Sequence, residues 1–229
     1  MNYSFNNTNK IDHFLKFLGL SKIILLKNRI KTNINIKKYL KKDIRNLEIG
    51  PGLNRIEGFE TLNVIDGFGV DYICDIAKPL PFRDDTFDLI YASHVIEHVP
   101  WYLQKKTFNE LFRILKKDGV LEIWVPDGLK IVQTLYDYET NGINNIHKDG
   151  WYRFNEDKDV GIWANGRIFT YGDGEGNLNH PNWHRTLFTP RLLENMFRLS
   201  GFKKIKMLDN NEVRGVSHGW INLGIKGTK

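Results

Sequence analysis

A single cysteine, Cys74, stands among the 229 residues. That excludes an intrachain disulfide and any zinc site built on thiolates, fits a reducing compartment, and leaves Cys74 to pack as a small apolar side chain. Long apolar runs are missing too. The stretch Ile23 to Leu26 sits among lysines and falls far short of the roughly 20 residues of a bilayer span, or of the apolar centre of a secretion signal. No transmembrane segment and a cytoplasmic residence are therefore expected. No internal repeat is visible, which sets aside solenoids and propellers. With 41% apolar and 26% charged residues the composition is neither disordered nor fibrous. The length suits one α/β core with a small insertion.

Positive charge, by contrast, is plentiful. The net charge is +6, and Lys27, Arg29, Lys31, Lys37, Lys38, Lys41, Lys42 and Arg45 all precede the first glycine motif. The plain account of such a run is a solvated helix face; an anionic partner is the second, with nucleic acid not favoured. Residues 1–45 open on an Asn-rich tip and then place Ile11, Phe14, Leu15 and Leu18 at helical spacing. They are read as an N-terminal helical extension of one or two amphipathic helices.

From residue 46 the pattern changes to short apolar runs between turn residues: Asn46 to Ile49, Thr61 to Ile65, Tyr72 to Cys74, Asp88 to Ala92 and Val120 to Val125. Such runs are expected of parallel strands buried on both faces. Between the last two, Leu103, Phe108, Leu111, Phe112 and Leu115 share one helical face over Trp101 to Lys117, and Lys116-Lys117-Asp118-Gly119 reads as the helix end. Strand, helix, strand is the grammar of a doubly wound sheet. A further helix is expected over 128–139. The segment from Asn141 to about Pro190, rich in Gly, Asn, Asp, Trp and His, is too long for a plain connection and reads as an inserted lid over 141–188. Thr189 as N-cap and Pro190 at the first helical position open a helix through Leu199. Phe202 to Leu208 and Gly219 to Lys226 then read as an antiparallel pair closing one sheet edge.

Gly50-Pro51-Gly52 directly follows a strand, where absent side chains let the backbone approach a ligand. A dinucleotide fingerprint would place a third glycine three positions on, but that residue is Arg55, and the segment after it does not read as a long regular helix. A dehydrogenase is set aside on that ground. Asp66 lies at the tip of the second strand, where a carboxylate accepts hydrogen bonds from ribose hydroxyls.

Four segments in order carry a resemblance: Leu47-Glu48-Ile49-Gly50-Pro51-Gly52, Leu62-Asn63-Val64-Ile65-Asp66, Cys74-Asp75-Ile76 through Phe82, and Phe87-Asp88-Leu89-Ile90-Tyr91-Ala92-Ser93-His94-Val95-Ile96-Glu97-His98-Val99. The chain resembles the class I S-adenosylmethionine-dependent methyltransferases, and among them the methyltransferases of capsule and lipopolysaccharide biosynthesis, over roughly Asn46 to Asp127. The resemblance implies a Rossmann-like domain over 46–229, with a mostly parallel seven-stranded sheet and an antiparallel C-terminal strand pair. It implies S-adenosylmethionine as cofactor and S-adenosylhomocysteine as product. Glu48, Gly50, Pro51 and Gly52 would face the methionine part, Asp66 the ribose, and Asp75 with Ile76 the adenine, while Ser93 and His94 would lie below the cofactor. From the residues alone, Asp75 equally suits a turn cap before Pro79 and Glu48 a pair with a lysine.

Methyl transfer is an in-line displacement at a sulfonium carbon, so the protein aligns the acceptor and, for a hydroxyl, takes its proton. His94, His98, His180 and His184 suit that second task. His184, a few residues before Phe188-Thr189-Pro190, is preferred from the resemblance, with His94 the second catalytic candidate. His94, Glu97 and His98 stand at helical offsets of three and four, which would gather three metal ligands on one face. That run resembles the Glu-x-x-Glu-His of magnesium-dependent quinone O-methyltransferases, except that His94 replaces the first glutamate, and magnesium prefers oxygen. No metal is therefore expected, with that trio as the alternative. Trp101, Trp151, Trp163, Tyr171 and Trp183 offer flat apolar faces for sugar rings or bases, or simply a packed loop core, and Arg153, Arg167, Arg185 and Arg191 offer forks for phosphate. Trp101, Tyr171, His180, Trp183 and Arg185 are taken as acceptor-binding.

The expected activity is O-methylation of a sugar hydroxyl, or of a phosphate-type group, on a surface-glycan precursor. The alternatives are methylation of a quinone-like small molecule or of nitrogen, and a non-catalytic S-adenosylmethionine-binding protein. Oligomeric state is open.

Overall fold

The computed structural model describes residues 19–229, so the helical reading of Ile11, Phe14, Leu15 and Leu18 lies outside the described residues. Strands β1 (Asn46–Ile49), β2 (Phe59–Asn63), β3 (Tyr72–Ile73), β4 (Phe87–Ser93), β5 (Leu115–Pro126), β6 (Lys203–Leu208) and β7 (Asn222–Thr228) form one sheet in the order β3-β2-β1-β4-β5-β7-β6. The first five run parallel, and β7 is antiparallel to both β5 and β6. This is the Rossmann-like sheet, mostly parallel with an antiparallel C-terminal pair, that the motifs led us to expect. Its central strands are apolar because both faces are covered: Leu47, Ile49, Ile90, Ala92, Leu121, Ile123 and Val125 are all exposed by 2% or less.

Strand order reverses between β1 and β4, which pair directly with Ile49 opposite Ala92. In an open α/β sheet that reversal opens a crevice at the carboxyl ends of the strands. Gly50 and His94 leave the sheet at this place, one after each strand. Residues 50–58 cross to β2 without a helix, as the sequence indicated.

Five α-helices are described: α1 (Ser21–Tyr39), α2 (Gln104–Ile114), α3 (Gly128–Asn141), α4 (Val160–Phe169) and α5 (Pro190–Leu199). Helix α1 lies against β3, the sheet's edge. Thr32 Oγ1 accepts the Ile73 N–H at 3.0 Å, Asn35 donates to the Asp71 carbonyl at 2.8 Å, and the Tyr39 hydroxyl reaches Asp71 Oδ1 at 3.0 Å. A bare strand edge is thereby closed to other strands. The helix does not segregate its apolar residues as an amphipathic helix would: Ile24 is buried, but Ile23, Leu26, Ile30 and Ile34 are exposed. Helices α2 and α5 meet over the sheet through Phe108 and Phe197, whose rings stand edge to face at 5.5 Å.

Two sequence boundaries are corrected. The helix read from Trp101 to Lys117 is a 3-10 turn at Trp101–Leu103 followed by α2, and β5 begins at once at Leu115. Lys116 to Gly119 thus belong to a strand, with Asp118 at φ +64° bending it, and they resemble a helix end only because Lys117 and Asp118 overhang into solvent. The segment read as a loop contains α4. Asp159 caps that helix by accepting the Ile162 N–H at 2.7 Å, and Val160, Trp163 and Ala164 bury one face with Ile131 of α3 and Ile221 in a second small core. Thr189 and Pro190 open α5 as expected, with the Thr189 hydroxyl accepting the Leu192 N–H. No helix among the described residues is long and apolar enough to cross a membrane.

Candidate cofactor and acceptor site

The crevice is shaped by what glycine omits. Gly50 has φ +69°, and a Cβ there would lie 2.2 Å from Val95 Cγ2, so only glycine lets the turn after β1 pass under the turn after β4. Pro51 is buried beside it, and Gly52 at φ +58° faces open space, where a ligand's chain would run along the backbone. Glu48 sits below the turn, 4% exposed. Its Oε2 accepts the Ile56 N–H at 3.0 Å, and burial raises its pKa against that hydrogen bond. Among the described residues no lysine pairs with it.

Asp66 lies three residues past the end of β2, which stops at Asn63 and not at the expected Ile65, and it is already engaged. Lys31 of α1 reaches Oδ1 at 2.6 Å and Lys27 reaches Oδ2 at 3.2 Å. Two members of the basic run thus turn toward the site instead of into solvent. Asp75 makes a turn: its Oδ1 accepts the Ala77 N–H at 3.0 Å and its Oδ2 pairs with Lys78 at 3.3 Å. The Ile76 side chain is 8% exposed and belongs to the main core, and its carbonyl accepts the Thr107 hydroxyl at 3.3 Å. Ser93 ends β4 opposite Trp124.

His94 follows in a left-handed conformation, φ +53°. Its Nε2 lies 2.9 Å from Asn222 Oδ1, its ring stacks on His218 at 3.7 Å, and its Nδ1 is 3.6 Å from Glu97 Oε1. Burial, then the neighbouring His218, drives its pKa well below the ordinary histidine value. The helical offset expected to line up His94, Glu97 and His98 does not form, because the turn at His94 gives way to a 3-10 helix at Ile96–His98. The cluster that does form joins Glu97 and His98 to His184 from the insert, with one ligand-type atom from each within 4.8 Å of the others.

Backbone bonds bring His184 there. The Arg185 and Thr186 N–H groups both donate to the Glu97 carbonyl, at 2.8 and 3.1 Å, and buried Gln104 ties Thr186 Oγ1 to the carbonyls of Ile96 and Val99. His184 Nδ1 is 3.0 Å from the Arg167 carbonyl and its Nε2 is 3.0 Å from Thr170 Oγ1. Burial, then His98, lowers its pKa to about 3, and burial raises Glu97 to about 8. Arg167, whose charge acts on His94 and His184, is neutralised by a two-point pair with buried Asp149 at 2.6 and 2.8 Å.

The insert also makes a cleft of about 490 Å³, lined by Trp151, Phe154, Phe169, Tyr171, Trp183 and Arg153, with Thr170 at its wall. The Arg153 guanidinium stands 3.6 Å above the centre of the Tyr171 ring. Gly172, at φ +56°, leaves room for the Trp183 indole, which a Cβ would meet at 2.4 Å. Of the expected acceptor residues, Tyr171 and Trp183 line this cleft. Trp101 stands outside it, 73% exposed, and Arg185 is exposed. His180 holds the loop by accepting the Asn182 N–H on Nδ1. A second cleft of about 250 Å³, at Lys117, Asp118, Lys203 and Lys204, lies at the opposite end of β5 from the crevice and brings no catalytic group together. Arg153 was singled out only as one of four arginines offering a fork for phosphate, and Thr170, His218 and Asn222 not at all; the density of aromatics and histidines in the insert signalled the region.

Residues 32–123 match a family model described as a methyltransferase domain. An uncharacterised protein of Methanocaldococcus jannaschii is 29% identical, the match covering 49% of this chain and 60% of that one. An uncharacterised protein of Haemophilus influenzae is 31% identical over 33% of this chain and 32% of its own. The chain thus spans less than two thirds of the length of these curated relatives. A solved structure from Thermotoga maritima, described as an S-adenosylmethionine-dependent methyltransferase and possible histamine N-methyltransferase, is 20% identical with a TM-score of 0.43, covering 95% of this chain and 99% of that one. The matched stretch holds β1 to β4, the glycine turn, Asp66 and Glu97. The insert with His184 lies beyond it.

Proposed function

We propose that this chain, a class I S-adenosylmethionine-dependent methyltransferase, methylates a sugar hydroxyl, or a phosphate-type oxygen, on a surface-glycan precursor in the cytoplasm. One observation carries the acceptor reading: the aromatic cleft opens beside Thr170, whose hydroxyl is 3.0 Å from His184 Nε2. Its volume falls in the range of about 300–1,000 Å³ usual for small-molecule sites. Sugar rings have apolar faces that stack on tryptophan and tyrosine, and Arg153 supplies a fork for a phosphate on the same molecule.

Bound S-adenosylmethionine would supply the methyl group: the acceptor oxygen would form its C–O bond as the C–S bond breaks, leaving S-adenosylhomocysteine as the neutral thioether. The hydroxyl proton passes by way of Thr170 Oγ1 to His184 Nε2, the nitrogen not set against the Arg167 carbonyl; because burial disfavours the charged ring, His184 holds it only in transit and gives it up to water. His184 rather than His94 is the histidine on the cleft side, since His94 is held by Asn222 and His218. Alignment in the crevice supplies most of the acceleration.

Incubation with labelled S-adenosylmethionine and panels of nucleotide sugars, phosphorylated glycan precursors, quinols, amines and RNA tests the reading. Label is expected on the sugar compounds, and Trp183→Ala should raise the acceptor KM about tenfold or more with cofactor affinity unchanged. Label on quinols or amines alone overturns the glycan assignment. Label on none makes the chain a cofactor-binding module.

A further inference from the structure

We propose that Glu97, His98 and His184 form a binding site for a divalent transition metal, zinc being the ion whose usual ligands they match. The geometry is that of two imidazoles and a carboxylate converging from two segments of chain. One ligand-type atom from each lies within 4.8 Å of the others. The Glu97 side chain is 2% exposed, and neither of its oxygens receives a hydrogen bond from the described residues. A carboxylate so placed is costly unless a cation or a proton joins it. The Arg167 guanidinium does not serve, because it is spent on Asp149 at 2.6 Å.

The histidines are held as metal ligands are held. His98 Nδ1 faces the Trp183 carbonyl at 3.2 Å and His184 Nδ1 faces the Arg167 carbonyl at 3.0 Å. Fixing one ring nitrogen on a backbone carbonyl sets the tautomer and orients the other, the arrangement that supports imidazole ligands in metalloproteins. The two segments are pinned to each other by the Arg185 and Thr186 N–H bonds to the Glu97 carbonyl, so the backbone that carries the ligands is in place before any ion enters. Two nitrogens, one oxygen and no thiolate suit zinc and its neighbours in the first transition row, whereas magnesium and calcium select oxygen. With metal–ligand bonds of about 2.0–2.2 Å the ligand atoms must draw to roughly 3.3 Å apart, and the Thr170 hydroxyl must give up His184 Nε2. Three protein ligands leave a position open. On the acceptor reading above, that position would take the acceptor oxygen and favour loss of its proton; the site itself does not rest on that reading.

Metal-free full-length protein, titrated with cobalt(II) and followed by its visible ligand-field bands, then with zinc(II) in competition with a chromophoric chelator, tests the proposal. One equivalent is expected to bind, with an absorption typical of low-coordinate nitrogen and oxygen ligation. Glu97→Gln, His98→Gln and His184→Gln should each weaken zinc by about a hundredfold or more, beyond the ten- to hundredfold typical of losing an outer partner, while His147→Gln on the exposed turn leaves it unchanged. S-adenosylhomocysteine affinity and thermal unfolding of each variant check that it is folded. Failure of the wild type to bind either ion at micromolar concentration overturns the proposal without any variant, and so does full zinc affinity in Glu97→Gln and His184→Gln. Metal binding without methyl transfer to any acceptor would leave this site standing and remove the glycan reading instead.

Discussion

Nζ of Lys31 stands 2.6 Å from Oδ1 of Asp66, and Lys27 closes on the other oxygen at 3.2 Å. Helix α1 therefore grips the residue expected to receive the cofactor ribose. Burial works to raise the Asp66 pKa, but the two lysines outweigh it and hold the group below the usual carboxylate range, so it stands as an anion, the form that would accept hydrogen bonds from ribose hydroxyls. Asp66→Asn keeps the volume and removes the charge. Calorimetry with S-adenosylhomocysteine should show affinity falling roughly ten- to a hundredfold, the worth of hydrogen bonds to a charged group. An unchanged dissociation constant would take Asp66 out of the cofactor site.

Gly50 and Val95 compete for one volume, with a Cβ on the first 2.2 Å from Cγ2 of the second. Gly50→Ala should cost about 1–3 kcal/mol from overpacking plus roughly 1–2 kcal/mol for a side chain at positive φ, and should abolish measurable cofactor binding. Val95→Ala added to Gly50→Ala relieves the first cost and leaves the second. Partial recovery of the melting temperature is therefore expected. No recovery would show that Val95 is not what excludes a side chain there.

The strands were legible because burial on both faces writes itself as short apolar runs, and the glycine turn because its backbone demands are local. The insert was harder to read. Helix α4 carries Gly161, Asn165 and Gly166, poor helix formers, and is made by tertiary burial of Val160, Trp163 and Ala164; Asp159 as N-cap was its one local signal. The grouping of His94, Glu97 and His98 assumed a helix that the left-handed turn at His94 prevents. The partnership of Glu97 with His184 depends on backbone bonds between residues far apart in the chain, and no periodicity encodes that.

Arg45, Glu60 and Tyr72 form a buried polar knot under the first strands. Arg45 gives Glu60 two hydrogen bonds, at 2.9 and 2.8 Å, and the Tyr72 hydroxyl donates to the same carboxylate. With side-chain exposures of 7% and 0%, removing one partner leaves the other charge without water or a counter-ion. Glu60→Ala is expected to cost about 3–5 kcal/mol, or roughly 6–20 °C in melting temperature for a chain of this size. A loss under about 1 kcal/mol in denaturant titration would mean that water or a rearranged neighbour replaces the carboxylate.

Glu110 supplies a pH-dependent contribution to stability well away from the site. It accepts from Arg113 at 2.6 and 2.9 Å and from the Leu80 N–H at 2.7 Å. The Arg113 hydrogen bond, opposed by burial, lowers its pKa from the ordinary 4.5. The folded state thus prefers the ionised carboxylate, and the stability it contributes is present above pH 4.5 and lost as the pH falls through the depressed folded value. Glu110→Gln removes that preference. Since the pair is partly open to water, with side-chain exposures of 32% and 18%, solvent screens it and the difference should be about 1 kcal/mol or less at pH 7, and it should shrink as wild type and variant are melted at successively lower pH below 4.5. A gap that stays constant from pH 7 to pH 3 would assign the loss to packing at Leu80 rather than to charge.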